Sequence, residues 1–372
     1  MGVAIPEFRL PKEIIEREIG HIQARGVEIR YNTPINVNKS LEDLKKEGFE
    51  AVFIGAGTHM SQKMGIPGEL DGVDGLCYGL SFLRDIKVGK KIRVGENVAV
   101  IGGGNTAMDS ARAALRLGAK SVNVYYRRTR EEMPVTDNEY NEAVEEGVKF
   151  HFLTSPTRIV SENWKVKGLE CIRMRLGQAD DSGRRRPVPV EDSGFFAPAD
   201  TVIPAVGQAP DLSFLPPDMK LELARWGALK VNDNTLSTNV PWIFAGGDFV
   251  TGPTTAIQAI AAGRRGAIAI DKYLQKDATR VEIRDEMLEV VYSVARGERF
   301  RIQSSVEVRE ERPVAARNTP DGEETAEVKP RTPVPMIPPK KRILGFDEIE
   351  TGYTEEQARE EAGRCLRCDL ET

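Results

Sequence analysis

The stretch VAVIGGGNTAMDSA, residues 98–111, places an apolar run, three glycines and a helix-forming segment in immediate succession. A strand that turns on glycine straight into a helix admits few folds. It opens a βαβ unit and commits the chain to the α/β class. Gly102, Gly104 and Ala107 fit the spacing G-x-G-x-x-A, with Gly103 between the first two. The first glycine permits the tight turn, the second lets backbone approach a pyrophosphate, and the small third residue lets helix pack on strand. The helix N-terminus at Asn105 and Thr106 then offers free N–H groups and a positive dipole end to phosphates. A purely structural glycine turn is the alternative, and the strand–turn–helix context weighs against it.

The strand that follows this helix discriminates between nucleotides. A site for NAD or FAD normally ends that strand with an acidic residue on the ribose hydroxyls. Here the sequence reads YYRRTREE, with Arg127 and Arg128 directly after the strand. Two guanidiniums suit the 2′-phosphate of NADPH. The competing reading is a solvated basic loop.

A second glycine turn lies downstream in WIFAGGDFVTGPTTAIQAIAAGRRGA. Gly247 and Asp248 follow an apolar strand and precede a helix beginning near Thr254 or Thr255. A carboxylate there can bond a polyol or ribityl hydroxyl, and the helix N-terminus can stabilise negative charge on an adjacent ring. Alone, the same residues serve equally as a structural cap.

Elsewhere the pattern predicts a helix from about Lys12 to Ala24, with isoleucines at 14, 15, 19 and 22, and a strand over Val27–Tyr31. Another strand is expected in AVFIGAG, residues 51–57, then short alternating strands over 148–206 with a basic hairpin tip, DDSGRRRPVP. From about 303 the chain is rich in proline and charge and reads as an extended linker. Thr354 with Gln357 makes a capping box for a short helix ending near Gly363.

At 372 residues the chain can hold two to three cores. A formal net charge of −5 gives no reason to expect nucleic acid. No window approaches the roughly 18 uninterrupted apolar residues of a membrane span, so a cytoplasmic protein is expected. Only three histidines are present, and no Ser-Tyr-Lys or histidine acid–base set is visible, which disfavours an ordinary NADP dehydrogenase. Of four cysteines, Cys77 and Cys171 stand apart and read as structural, whereas Cys365 and Cys368 form C-x-x-C. That spacing serves iron–sulfur clusters, zinc or a redox dithiol, and two thiolates alone leave a four-ligand site incomplete.

IPEFRLPKEIIEREI, FIGAGT with GIPGE, VAVIGGGNTAMDSAR, VYYRRTREEMPV, DTVIPAVGQAPD and IFAGGDFVTGPTTAIQAIAAGRRGA occur in order from about residue 4 to 275. Together they closely resemble the small (beta) subunit of NADPH-dependent glutamate synthase and its relatives among FAD-dependent pyridine nucleotide oxidoreductases. The resemblance implies two nested Rossmann-like dinucleotide-binding domains, followed by a linker and a short helical cysteine segment. The boundaries it suggests are a partial FAD domain over 1–87 and an inserted NADPH domain over 88–205. The FAD domain resumes over 206–276, followed by an extension over 277–340 and the cysteine segment over 341–372. It implies that Gly102, Gly103, Gly104, Asn105, Thr106, Ala107, Arg127 and Arg128 hold NADPH. Gly247, Asp248, Thr254, Thr255, Ala256 and Ile257 would hold FAD, and Gly207 would lie in the connecting strand where the domains meet.

The family opens its FAD domain with a glycine-rich βαβ unit, and this chain starts just after where that unit should end. A fragment or mis-started frame, a second polypeptide supplying the missing half, and loss of FAD binding are the three readings. EEAGRCLRCD resembles the cluster-binding segments of the same family, so Cys365 and Cys368 would contribute to a 4Fe-4S cluster completed elsewhere. The implied function is an electron-transfer subunit that takes hydride from NADPH to FAD and passes electrons to iron–sulfur centres or a partner subunit. The alternative is a non-catalytic NADPH-binding remnant or scaffold in a larger redox complex.

Overall fold

The computed structural model describes residue 2 and residues 4–36, 38–179, 184–224, 227–275 and 331–363. The chain divides into two compact units, Met1–Arg284 with Pro338–Glu348, and Asp285–Ile337 with Ile349–Thr372.

The first unit begins with α1 (Lys12–Gln23), α2 (Leu41–Lys46), β1 (Val52–Ile54), β2 (Met60–Ser61) and α3 (Gly79–Lys87). It continues through β3 (Asn97–Ile101), α4 (Asn105–Arg116), β4 (Ser121–Tyr125), α5 (Asp137–Glu145) and β5 (Lys149–His151). Then come β6 (Thr154–Glu162), β7 (Lys165–Ala179), β8 (Arg185–Pro189), β9 (Phe195–Pro198), β10 (Thr201–Pro204) and β11 (Gln208–Ala209). The last elements of this unit are β12 (Ile243–Ala245), α6 (Asp248–Thr251), α7 (Ala256–Gln275) and α8 (Pro339–Arg342).

The predicted βαβ unit is present. β10, β3, β4 and β5 form a parallel sheet in that order, with Val98 beside Val122 and Val100 beside Val124. Alternation sorts side chains between its faces. Val98, Val100, Val122 and Val124 meet Ala107, Met108, Ala111 and Ala114 of α4, whose small side chains allow close approach. Phe82 and Leu83 of α3 lie in the same core. On the other face, Ala99, Ile101 and Tyr125 pack against Ile159, Val166, Leu169 and Cys171 of the antiparallel β6–β9 layer. β7 runs for 15 residues, longer than the short strands expected here, and pairs with β6, β8 and β9.

The enclosing part is smaller. β1 and β12 pair in parallel, Val52 beside Ile243 and Ile54 beside Ala245, over a core of Leu41, Leu229, Trp242 and Phe249. β2 and β11, the two crossing segments, pair antiparallel with Gln208 beside Ser61. The strand expected over Val27–Tyr31 does not form. β1 and β12 pair only with each other among the described strands, and residues 27–31 join neither. Helix α1 forms as expected, yet it buries no side chain. Ile257 and Ile260 of α7 are likewise 67% and 65% exposed.

The second unit contains α9 (Glu355–Ala362), begun by the predicted Thr354–Gln357 capping box. Ile337 N–H bonds the Ile349 carbonyl at 2.9 Å, and Thr332 N–H bonds Glu361 at 2.8 Å. Most of the expected linker, Cys365 and Cys368 lie outside the described residues.

Candidate nucleotide-binding site

Each glycine of the opening turn has its own reason to lack a side chain. Gly102 has φ +140°, and a Cβ there would lie 2.3 Å from the Ala205 carbonyl oxygen. Ala205 is fixed in that position by its N–H bond to Ile101, 2.8 Å, so the exit of β10 runs against the turn. At Gly103 a Cβ would meet the Tyr126 ring at 2.5 Å, and Tyr126 is held by its hydroxyl bond to the Glu132 carbonyl, 2.9 Å. At Gly104 a Cβ would meet nothing within 4 Å. Gly104 is also the N-cap of α4, and no side chain caps that helix. Open space in front of an uncapped helix N-terminus fits the pyrophosphate of a dinucleotide.

The two arginines after β4 differ in setting. Arg127 is exposed and makes no hydrogen bond or ion pair among the described residues. Arg128 is 6% exposed, and its Nε donates to the Arg185 carbonyl of β8 at 2.8 Å. Arg185 in turn pairs with Glu132, 2.7 Å. The Thr129 hydroxyl, more than Arg185, holds the Glu132 carboxyl below its usual range against the opposing effect of burial. The basic hairpin is thereby tied to the loop that follows β4.

Gly247, Asp248, Thr254, Thr255, Ala256 and Ile257 converge on one turn at the end of β12. Gly247 has φ +65° and caps α6. Asp248 Oδ1 accepts from Thr254 N–H at 3.0 Å and from its hydroxyl at 2.8 Å. Asp248 Oδ2 makes no hydrogen bond among the described residues. Thr255 N–H and hydroxyl donate to Gln258 Oε1, both at 3.0 Å, shaping the start of α7. One carboxylate oxygen therefore holds the turn, and the second fits a hydroxyl-bearing ligand such as the ribityl chain of a flavin. No second glycine-rich strand–turn–helix, suited to the ADP half of FAD, occurs among the described residues.

Gly207 sits where the crossing strands touch: a Cβ would come 2.4 Å from Gln62 Oε1, and Gln62 N–H donates to the Gly207 carbonyl at 3.0 Å. The neighbouring Gln208 escaped sequence reading. Its Oε1 accepts from the Thr58 hydroxyl at 3.0 Å and its Nε2 donates to Thr106 Oγ1 at 2.9 Å. Its place directly after Gly207 was the available signal.

Burial pushes the thiols of Cys77 and Cys171 up to about 12, so neither supplies thiolate near neutral pH. No group of three or more metal-ligating side chains and no helix long and apolar enough to cross a membrane occurs among the described residues.

A parallel-sheet nucleotide domain inserted into an α/β frame that carries a second glycine turn defines the class of pyridine nucleotide oxidoreductases. Residues 12–263 match the model of the pyridine nucleotide-disulphide oxidoreductase family, and the chain belongs to that family. Members of this family are flavoproteins that bind FAD and NADPH. The chain is 42% identical over 372 residues to the NADP(+)-dependent formate dehydrogenase subunit beta of Moorella thermoacetica, covering 99% of itself and 49% of that protein. It is 37% identical over 393 residues to the NADPH-Fe(3+) oxidoreductase subunit beta of Geobacter sulfurreducens, covering 99% of itself and 55% of that protein. A putative glutamate synthase [NADPH] small chain of Cereibacter sphaeroides is 34% identical, with 74% of this chain and 68% of that one covered. The glutamate synthase small-subunit resemblance therefore holds. The chain spans about half the length of the first two relatives. Among solved structures, FprA from Mycobacterium tuberculosis shares the fold, with TM-score 0.60, 19% identity and 80% of each chain covered.

Proposed function

We propose that this chain is the NADPH-accepting portion of an electron-transfer flavoprotein subunit, in which hydride from NADPH is delivered to FAD and electrons leave to a partner. The observation that carries the reading is the uncapped N-terminus of α4 behind the open face of Gly104. Gly102, Gly103, Gly104, Asn105, Thr106 and Ala107 cradle the pyrophosphate, and Arg127 and Arg128 serve the 2′-phosphate. Gly247, Asp248 and the Thr254–Ile257 turn hold the ribityl end of FAD. Bound FAD would supply a two-electron acceptor able to release electrons singly. No general acid or base is needed from the protein, whose residues position and orient.

The partner is a further redox subunit, a role supported by relatives that are themselves named beta subunits. Cys365 and Cys368 would contribute to a 4Fe-4S cluster completed by other cysteines, and the setting is cytoplasmic. A domain division close to 1–87, 88–205, 206–276, 277–340 and 341–372 goes with this reading, with α3 at the first junction, where Phe82 and Leu83 enter the core of the parallel sheet.

The lack, among the described residues, of a glycine-rich strand–turn–helix suited to the ADP half of FAD favours one other reading, a non-catalytic NADPH-binding scaffold. NADPH titration followed by ferricyanide reduction separates the two. Binding with flavin absorbance and NADPH-driven ferricyanide reduction is expected. Binding that persists without flavin bands or reduction, even after FAD and a partner are added, would leave the scaffold.

A further inference from the structure

Gln208 joins two parts of the molecule that are distant in sequence. Thr58 follows β1 in the enclosing frame, and Thr106 is the second residue of α4 in the inserted domain. As placed, the Gln208 amide joins the two hydroxyls: Oε1 accepts from Thr58 at 3.0 Å and Nε2 donates to Thr106 at 2.9 Å. Thr58 is 6% exposed, so its hydroxyl depends on that acceptor. The Thr106 side chain is held as well. A Cβ built on Gly79 would lie 3.1 Å from Thr106 Cγ2, so the methyl is packed and the hydroxyl direction is fixed.

A threonine hydroxyl has one proton. Because Thr106 Oγ1 accepts from Gln208, its own proton remains free to donate, in the first turn of the helix that Gly104 caps. We infer that Gln208 is a positioning residue for NADPH, which orders a chain of donors from Thr58 through Thr106 and aims the last at the pyrophosphate. This rests on reading the Gly102–Ala107 turn as the NADPH site. With the amide as placed, the donors run from Thr58 through Gln208 to Thr106, and each bond polarises the next. A glutamate at 208 cannot donate. It would draw the Thr106 proton to itself and place a negative charge beside the phosphates.

The test is direct titration of the purified full chain with NADPH and, separately, with adenosine 2′-monophosphate, which lacks the pyrophosphate. Gln208→Glu is expected to weaken NADPH binding by about 10- to 100-fold, the range for a hydrogen bond to a charged group, while leaving adenosine 2′-monophosphate binding within about 2-fold. Gln208→Ala and Thr106→Val should each weaken NADPH, and the double variant should be no weaker than the poorer single, because both remove one donor. Equal weakening of both ligands by Gln208→Glu would reduce Gln208 to a structural role and overturn the inference. So would additive losses in the double variant, or unchanged NADPH binding in Gln208→Glu. Failure of the unaltered chain to bind NADPH would instead overturn the site reading on which the inference stands.

Discussion

One guanidinium nitrogen of Arg9 bonds both carboxylate oxygens of Asp109, at 2.8 and 2.9 Å, across a sequence separation of 100. The same guanidinium reaches Glu139. Phe8 beside it is fully enclosed, its ring 4.8 Å from the Arg112 guanidinium and 4.0 Å from that of Arg116. Phe346 adds a further ring at 6.2 Å, and Arg342 pairs with Glu145 of α5 at 2.9 Å. The segment before α1 thus clasps α4 and α5, and the segment around α8 meets Phe8 and α5.

Asp109 gives this clasp a pH dependence. Burial pushes its carboxyl up to about 6 from 3.8, against the opposing pull of Arg9. A carboxyl raised on folding binds its proton more tightly in the folded state. Its contribution therefore favours the fold below the unfolded value and is lost as pH rises through about 6. A shift of about two units corresponds to about 3 kcal/mol. Between about pH 4 and pH 7, the unfolding free energy of Asp109→Asn should improve by about 2 kcal/mol of this relative to the unaltered chain. Urea titrations at both pH values measure it, and a difference that does not vary with pH would contradict it.

Glu146 makes the opposite case. It is buried between Arg112 and Arg116, with contacts of 2.7 and 2.6 Å, and Arg112 also reaches Glu142 at 2.7 Å. Burial opposes ionisation, yet the two arginines together hold its carboxyl below the usual range. Glu146→Gln leaves two buried guanidiniums facing amide hydrogens. It should destabilise the first unit by about 3–5 kcal/mol, seen as a lower urea midpoint with an unchanged slope.

What could be read from the sequence was what local pattern encodes. Val98 and Val100 alternate with Ala99 and Ile101 so that both faces of β3 are apolar, and Ala107, Ala111 and Ala114 recur at helical spacing. Thr354 and Gln357 signalled their helix from three residues apart. The long-range pairs left no such trace. Arg9, Asp109 and Gln208 are ordinary polar residues in sequence, and only the folded chain brings each to its partner. The Val27–Tyr31 pattern failed for a related reason: alternation gives a strand its faces, but an edge to pair with must come from elsewhere.

The glycines of the turn separate folding from binding. Gly103→Ala drives a methyl into the Tyr126 ring at 2.5 Å, and the ring is fixed by its hydroxyl, so a loss of about 1–3 kcal/mol is expected. Gly104→Ala meets no neighbour within 4 Å, and its stability should stay within about 1 kcal/mol of the unaltered chain. Its methyl would occupy the space assigned to the pyrophosphate, so NADPH affinity should fall by at least about 10-fold. Calorimetric melting and NADPH titration on the same samples distinguish the two. A Gly104→Ala protein that binds normally would move the pyrophosphate away from this turn.

Arg127 and Arg128 divide in the same way. Arg127 is exposed and makes no described contact, so Arg127→Gln should leave stability unchanged. Loss of a charge-assisted bond to the 2′-phosphate should weaken NADPH by about 10- to 100-fold and NADH hardly at all. Arg128 is buried and holds the Arg185 carbonyl, so Arg128→Gln should loosen the β7–β8 hairpin, lower the melting temperature and weaken both nucleotides. Paired NADPH and NADH titrations of the two variants check this. If Arg127→Gln keeps its preference for NADPH, the discrimination resides in Arg128 and the hairpin it anchors, and the inserted antiparallel layer becomes part of the cofactor site.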